Sequence, residues 1–332
     1  MIRKAWRPLA LLLAAGLTAG ITAGCGTSGS NTSDNGKPVL RMGIFPAFRP
    51  LQLVKQMKIL EKEGYKVEWT DFLKGAPAES AAMASKSIQF MEGDTPGLEE
   101  VYAKSPGLIW YIANGSNNYV SIVANKGSGI KSISDLKGHK VCGVAPGTAP
   151  TAVLQIALAK ENMTLDDVSG INTTGPSQAA ALDNGGCDAA TTYQPYASSM
   201  LLSGKITLLT TAEKVYGGTW PGGGVAVDPD FAKKHKQAVI DVVKAVDKAN
   251  KLLAAENEQA YKDLATATKS PLDVVKYGYE NKLVTPADVA PDKNVLSGQL
   301  KDLIKYDVVK INDPDKWLDG FAHPEFAEDA LK

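Results

Sequence analysis

From residue 39 to residue 228 the chain alternates short apolar runs with amphipathic stretches, the pattern of strands separated by helices. VLRMGIF (39–45) reads as a strand, and LQLVKQMKILEKEG (51–64) as a helix with one apolar face. YKVEWTDF (65–72) alternates apolar and polar positions, ESAAMASK (79–86) is an Ala-rich helix, and SIQFME (87–92) is a strand again. A helical stretch over 95–104 leads into two more strands, GLIWYIA (107–113) and NYVSIVANK (118–126). Then come the strand KVCGV (140–144), a helix after Thr151, the strand VSGINTT (168–174) and a helix over 176–184. CDAATTY (187–193), a helix over 194–203, KITLLTT (205–211) and a last strand GGVAVD (223–228) complete the alternation. Residues 229–332 are almost wholly helical in pattern. Repeated β-α-β units predict an α/β fold, with parallel sheets covered by helices on both faces.

Ligands of such sheets bind at the carboxyl ends of strands. The loops there carry Phe45, Phe48 and Arg49 after the first strand, and Asp94 and Thr95 after SIQFME. They carry Asn117 after GLIWYIA, Gly147, Thr148 and Ala149 after KVCGV, Tyr193 and Gln194 after CDAATTY, and Trp220 before the last strand. These residues form a plausible ring around a small polar or anionic ligand. Val141–Thr151, VCGVAPGTAPT, is the sharpest of these segments. It reads as strand, Gly turn and helix start, with Thr148 a candidate N-cap and Pro150 in the first turn. Free amides and the positive end of the helix dipole suit an anion there, although an ordinary βα turn has the same composition.

Residues 1–25 carry a basic start (Arg3, Lys4, Arg7), a short apolar run and small residues before Cys25, so they are read as a targeting segment. Residues 26–37 are Gly/Ser/Asn-rich, a flexible tether. Acids and bases balance at 36 each, and loss of residues 1–24 would remove three bases and no acid. Nothing in that balance favours nucleic acid. Cys142 and Cys187 remain, and export permits a disulfide between them. Their strands should be neighbours, with VSGINTT on the far side, which suits a bridge; two buried free thiols are the alternative. The His residues are scattered, and no Cys/His spacing suits a metal. There is no P-loop, no GxGxxG after a strand, no GxSxG elbow and no HExxH, so catalysis has little support.

Small residues before Cys25 resemble a bacterial lipobox, which implies lipidation at Cys25. MGIFPAF, IQFMEGDTP, SIVANKGSGIKSISDLKGHKVCGVAPGTAP, LDNGGCDAATTYQPYAS, GGGVAVDPDFAKKH and DPDKWLDGFAHPEF resemble ABC-transporter solute-binding proteins. The resemblance is to the family that includes aliphatic-sulfonate-, taurine-, nitrate- and thiamine-precursor-binding proteins. It covers most of 39–325. Many relatives carry Trp-Asp-Pro-Tyr where this chain has Tyr193-Gln194-Pro195-Tyr196, and Ser-Ser or Thr-Ser where it has Thr148-Ala149. The resemblance implies a two-lobed, type II periplasmic-binding-protein-like fold, with doubly wound sheets joined by two hinge strands. Lobe one would be 38–124 plus 223–332 and lobe two 125–222, with crossings near 123–126 and 220–224 and the helical tail packed on lobe one.

By that resemblance the protein is not an enzyme and has no cofactor or metal. It captures a small anionic or zwitterionic solute, taurine or an aliphatic sulfonate first, and delivers it to a membrane permease. It is exported, lipid-anchored and monomeric. The alternatives are a ligand such as nitrate, a carboxylate or a thiamine pyrimidine precursor, an enzyme on the same fold, or an adhesive lipoprotein. Asp94 facing Thr148 across the cleft would suit a zwitterion. Helix capping by Asp94, or its neutralisation by Arg49, is the competing expectation.

Overall fold

The computed structural model of the protein describes residues 36–73 and 76–332. The targeting segment, Cys25 and the tether up to residue 35 lie outside the described residues. The strands are β1 (Leu40–Ile44), β2 (Val67–Asp71), β3 (Phe90–Gly93), β4 (Trp110–Asn117), β5 (Val120–Asn125) and β6 (Lys140–Cys142). They continue as β7 (Ser169–Ile171), β8 (Ala189–Tyr193), β9 (Ile206–Thr211), β10 (Pro221–Val227) and the short β11 (Thr285–Pro286). Two sheets result, in the orders β11-β4-β10-β3-β1-β2 and β7-β6-β8-β5-β9.

Neither sheet is purely parallel. β1 pairs in parallel with β2 and β3, but β10 runs antiparallel to β3 and β4. In the second sheet β6 is parallel to β7 and β8, while β5 is antiparallel to β8 and β9. β5 follows the passage to the second sheet and β10 the return, so each enters its sheet from the opposite end; the short edge strand β11 also runs antiparallel, to β4. β10 is buried at every position, as a central strand covered on both faces must be.

β5 pairs along its length with β8 and β9, so the chain passes from the first sheet to the second at the turn between Asn117 and Val120. Its apolar run is continuous because the strand is buried on both faces, so the run marks no boundary. Asn118 makes the turn with φ +56°, a conformation Asn tolerates better than most residues. Its N–H donates to Trp220 O at 3.0 Å, which ties the outgoing crossing to the return one. Its side chain donates to Lys282 O at 2.7 Å and accepts the Glu213 N–H at 2.9 Å. The helical tail lies against the first sheet, where Asn250 donates to Asn114 O of β4 at 3.3 Å. It also reaches lobe two: Gln155 donates to Tyr306 O at 2.7 Å, and Gly278 lies close to Ser198 and Gln194.

Cys142 ends β6, and Cys187 stands two residues before β8, its parallel neighbour. The two are bridged, with Cα atoms 5.8 Å apart, and close a loop of 45 residues. Cross-linking a loop of that length removes unfolded-state entropy on the order of 4 kcal/mol. The Cys142→Ser/Cys187→Ser variant, or reduction of the native protein, should lower the urea midpoint accordingly. Mass spectrometry of unreduced protein showing two free thiols would overturn the assignment.

Candidate functional site

The lobes enclose a cavity of about 310 Å³, at the carboxyl ends of β1, β3, β6, β7 and β8. Arg49 stands at its base. Pro50 starts the helix Pro50–Gln56 and holds Arg49 extended at the N-cap position, where its side chain makes no cap bond. Glu92, at the end of β3, accepts the helix N–H of Leu51 at 3.1 Å instead. The guanidinium is thereby free to join the cavity wall, only 2% exposed. Its Cζ lies 4.9 Å from the Tyr119 ring centroid and 5.7 Å from that of Phe45, favourable cation–π positions. Nε and Nη1 have no hydrogen-bond partner. β10 makes room for this group: a Cβ on Gly223 would sit 3.3 Å from Arg49 Cζ and 2.7 Å from Gly93 O.

Three acids share this wall. Glu79, from the helix Ala76–Ala84, is fully buried and neither carboxyl oxygen has a partner. Glu92 is also fully buried, with one oxygen on Leu51 and the other unpartnered. Asp94 caps the helix Thr95–Lys104 by accepting the Gly97 N–H at 2.8 Å, with Pro96 in the first turn. Its carboxylate also faces the Ala149 N–H from lobe two.

Lobe two contributes the turn after β6. Gly143, at φ +87°, passes so close to β8 that a Cβ would meet Thr191 O at 2.1 Å. Thr148 occupies the N-cap of the helix Ala149–Lys160, but its hydroxyl makes no cap bond. It donates back to Ala145 O at 2.8 Å and lies 3.1 Å from Thr151 Oγ1. Thr151 also holds Ala145, accepting its N–H at 2.8 Å and donating to its O at 2.7 Å. These bonds brace the turn and leave the helix end uncapped by its own side chain, with the positive end of the dipole toward the cavity.

The electrostatics follow from burial. Burial disfavours the Arg49 charge, but Tyr119, Glu92 and Asp94 outweigh it and raise the guanidinium pKa. Burial drives Glu79 well above the usual carboxylate range, with Arg49 opposing and Glu92 and Asp94 adding to the rise. Burial lifts Glu92 to about 7 against the pull of Arg49 and the Leu51 N–H. Asp94 is also raised by burial, while Arg49 and the backbone N–H groups oppose the rise.

Of the sequence-derived residues, Phe45, Arg49, Asp94, Gly147, Thr148 and Tyr193 line the cavity. Six others do not. Phe48 packs inward on Tyr279 with centroids 6.2 Å apart, and Trp220 is core at the return crossing. Thr95 is buried in the first turn of its helix, and Asn117 pairs with Pro221 and Thr285 within the first sheet. Ala149 is buried and offers its backbone rather than its side chain, and Gln194 accepts the Ser198 hydroxyl at 2.6 Å. The structure adds Glu79, Glu92, Tyr119, Gln178 and the loop Asn172-Thr173-Thr174. That loop follows β7, so the strand-end rule could have found it. Glu79 is one acid on an Ala-rich helix and had no sequence signal.

Residues 110–260 match the family described as NMT1/THI5 like. A Bacillus subtilis (strain 168) protein named "Putative aliphatic sulfonates-binding protein" is 27% identical over 239 residues, 68% of this chain and 68% of its own. The alkanesulfonate-binding protein SsuA from Xanthomonas axonopodis pv. citri, bound to MOPS, superposes with a TM-score of 0.71. It is 23% identical, over 83% of this chain and 96% of that one. The periplasmic nitrate-binding protein NrtA from Synechocystis PCC 6803 superposes with a TM-score of 0.74 at 15% identity, over 88% of each chain. The fold is that of the type II periplasmic binding proteins.

The buried acids set a pH dependence. A carboxyl whose folded pKa is raised stabilises the fold fully below its unfolded value and loses that contribution as pH rises through the folded value. For Glu92 the window runs from 4.5 to about 7, and Glu79 acts in the same direction. The ligand-free protein should therefore lose melting temperature between pH 5 and pH 8. Glu92→Gln, which keeps an acceptor for Leu51, should lose less. Equal slopes in melting curves of the two proteins would refute this account.

Proposed function

We propose that this chain is the extracytoplasmic solute-binding component of an ABC importer. It captures a small sulfonate-type solute, taurine or an aliphatic sulfonate, between its lobes and presents it to the membrane permease. The single observation that carries the reading is the cavity-lining Arg49, whose buried Nε and Nη1 have no partner. A buried donor left unmade is costly, and a charged one more so. The oxygens of an anionic head group, held between Arg49 and the helix end at Thr148, would complete it. The names of the relatives support this ligand class, since the Xanthomonas protein holds the sulfonate MOPS. The cavity is at the small end of the roughly 300–1,000 Å³ usual for ligand sites, which suits a short solute. On this reading the protein works as a monomer, needs no cofactor, and is tethered outside the cytoplasmic membrane through lipid on Cys25. The lobes close about the crossings at Asn118 and Trp220, and the closed form is what the permease reads.

Titration calorimetry with ethanesulfonate, taurine, nitrate and short carboxylates tests the ligand class. Arg49→Gln should weaken sulfonate binding by about 10- to 150-fold, the worth of one hydrogen bond to a charged group. Thr148→Ala should weaken it less, because its hydroxyl already donates to Ala145 O. Wild-type affinity in a folded Arg49→Gln protein would overturn the anion seat. Cys25→Ser should release the protein from the membrane fraction, and retention of that variant would overturn the anchor.

A further inference from the structure

The cavity wall carries three acids, Glu79, Glu92 and Asp94, against one base, Arg49. Two of the acids have structural work. Glu92 accepts the Leu51 N–H, and Asp94 caps a helix through Gly97 and faces Ala149. Glu79 has none. It is 0% exposed, both its oxygens are unpartnered, and it lines the cavity. A simple anion brought to Arg49 would leave Glu79 without a cationic partner. An anion carrying its own ammonium would satisfy both.

We propose that Glu79 is the specificity-determining residue that accepts the ammonium of a zwitterionic ligand, so that the solute is an amino-sulfonate rather than a plain alkanesulfonate. This rests on the binding-protein reading above and narrows its ligand. Asp94 is thereby replaced as the ammonium partner, because its carboxylate already caps the helix Thr95–Lys104 through Gly97. Glu79 is faced by Arg49, Glu92 and Asp94; burial and the two neighbouring carboxyls hold it protonated, against the pull of Arg49, when the cavity lacks a further cation. An arriving ammonium favours its ionised form, so binding a zwitterion releases a proton. Below the ligand-free pKa of Glu79, affinity for the zwitterion then rises with pH relative to affinity for an amine-free analogue.

Taurine and ethanesulfonate share the sulfonate and chain length and differ in the amine. Calorimetry at pH 5.5 and 7.5 should give taurine an advantage of about tenfold or more at the higher pH, and a smaller one at the lower. Titration in buffers of different ionisation enthalpy should show protons released with taurine. Glu79→Gln should reduce the taurine-to-ethanesulfonate ratio to within about threefold and shrink its pH dependence to the part that Glu92 contributes, while Glu79→Asp should keep more of both. Melting curves establish that each variant is folded. Equal affinities in the wild type, or an unchanged ratio in a folded Glu79→Gln protein, overturn the role of Glu79 and leave the binding-protein reading intact. Failure of the wild type to bind either compound overturns both.

Discussion

The site depends on a guanidinium held in a dry place. Arg49 sits among Tyr119, Phe45, Glu92 and Asp94 with almost no contact with water. An ionised group is costly there unless opposite charge and hydrogen-bonding groups surround it, and losing one partner of a buried pair costs about 3–5 kcal/mol. Several otherwise odd features follow from this need. Glycine at 223 lets the group lie against β10, and the carboxyl of Glu92 approaches by capping the helix that Arg49 itself does not cap. The residual unpaired nitrogens are what an anion would meet.

The second organising feature is the pair of crossings. A chain that leaves one sheet and returns must pass twice through a narrow neck, and here the two passes are bonded to each other through Asn118 N–H and Trp220 O. Asn118 has the backbone freedom to take φ +56° and the side chain to satisfy Glu213 and Lys282 around the neck. The helical tail adds contacts on both sides of it, through Asn250 to Asn114 O in the first sheet and through Tyr306 O and Gly278 to Gln155, Ser198 and Gln194 in lobe two. Beside the cavity, Asp94 of lobe one faces Ala149 of lobe two, so the rims are in electrostatic contact as well as joined by chain.

The legible part of the site was backbone chemistry. Pro50, Gly147 and the Thr148-Ala149-Pro150 helix start declare turns by their own conformational preferences, so the strand-end loops could be placed without coordinates. Side-chain direction could not be placed in the same way. Phe48 and Arg49 are adjacent, yet one enters the core and the other the cavity, because the extended residue before Pro50 projects opposite to its neighbour. Gln194 and Tyr193 divide in the same way, with Gln194 turned toward Ser198. Glu79 comes from the side wall of a helix rather than a strand end, and no local pattern separates an acid that faces solvent from one that faces a cavity.

Local physics thus determined the alternation of strands and helices, the α/β class, and the turns that open toward a ligand. These depend on periodicity and on the φ preferences of Gly and Pro, which act within a few residues. Which strand paired with which depended on partners far along the chain. The move of β5 into the second sheet, the antiparallel course of β10 and the meeting of Cys142 with Cys187 are of that kind. The charge state of the cavity was likewise decided only by tertiary structure. Arg49, Glu79, Glu92 and Asp94 are ordinary residues in water, and their pKa values and unmet hydrogen bonds arise from the burial that folding imposes.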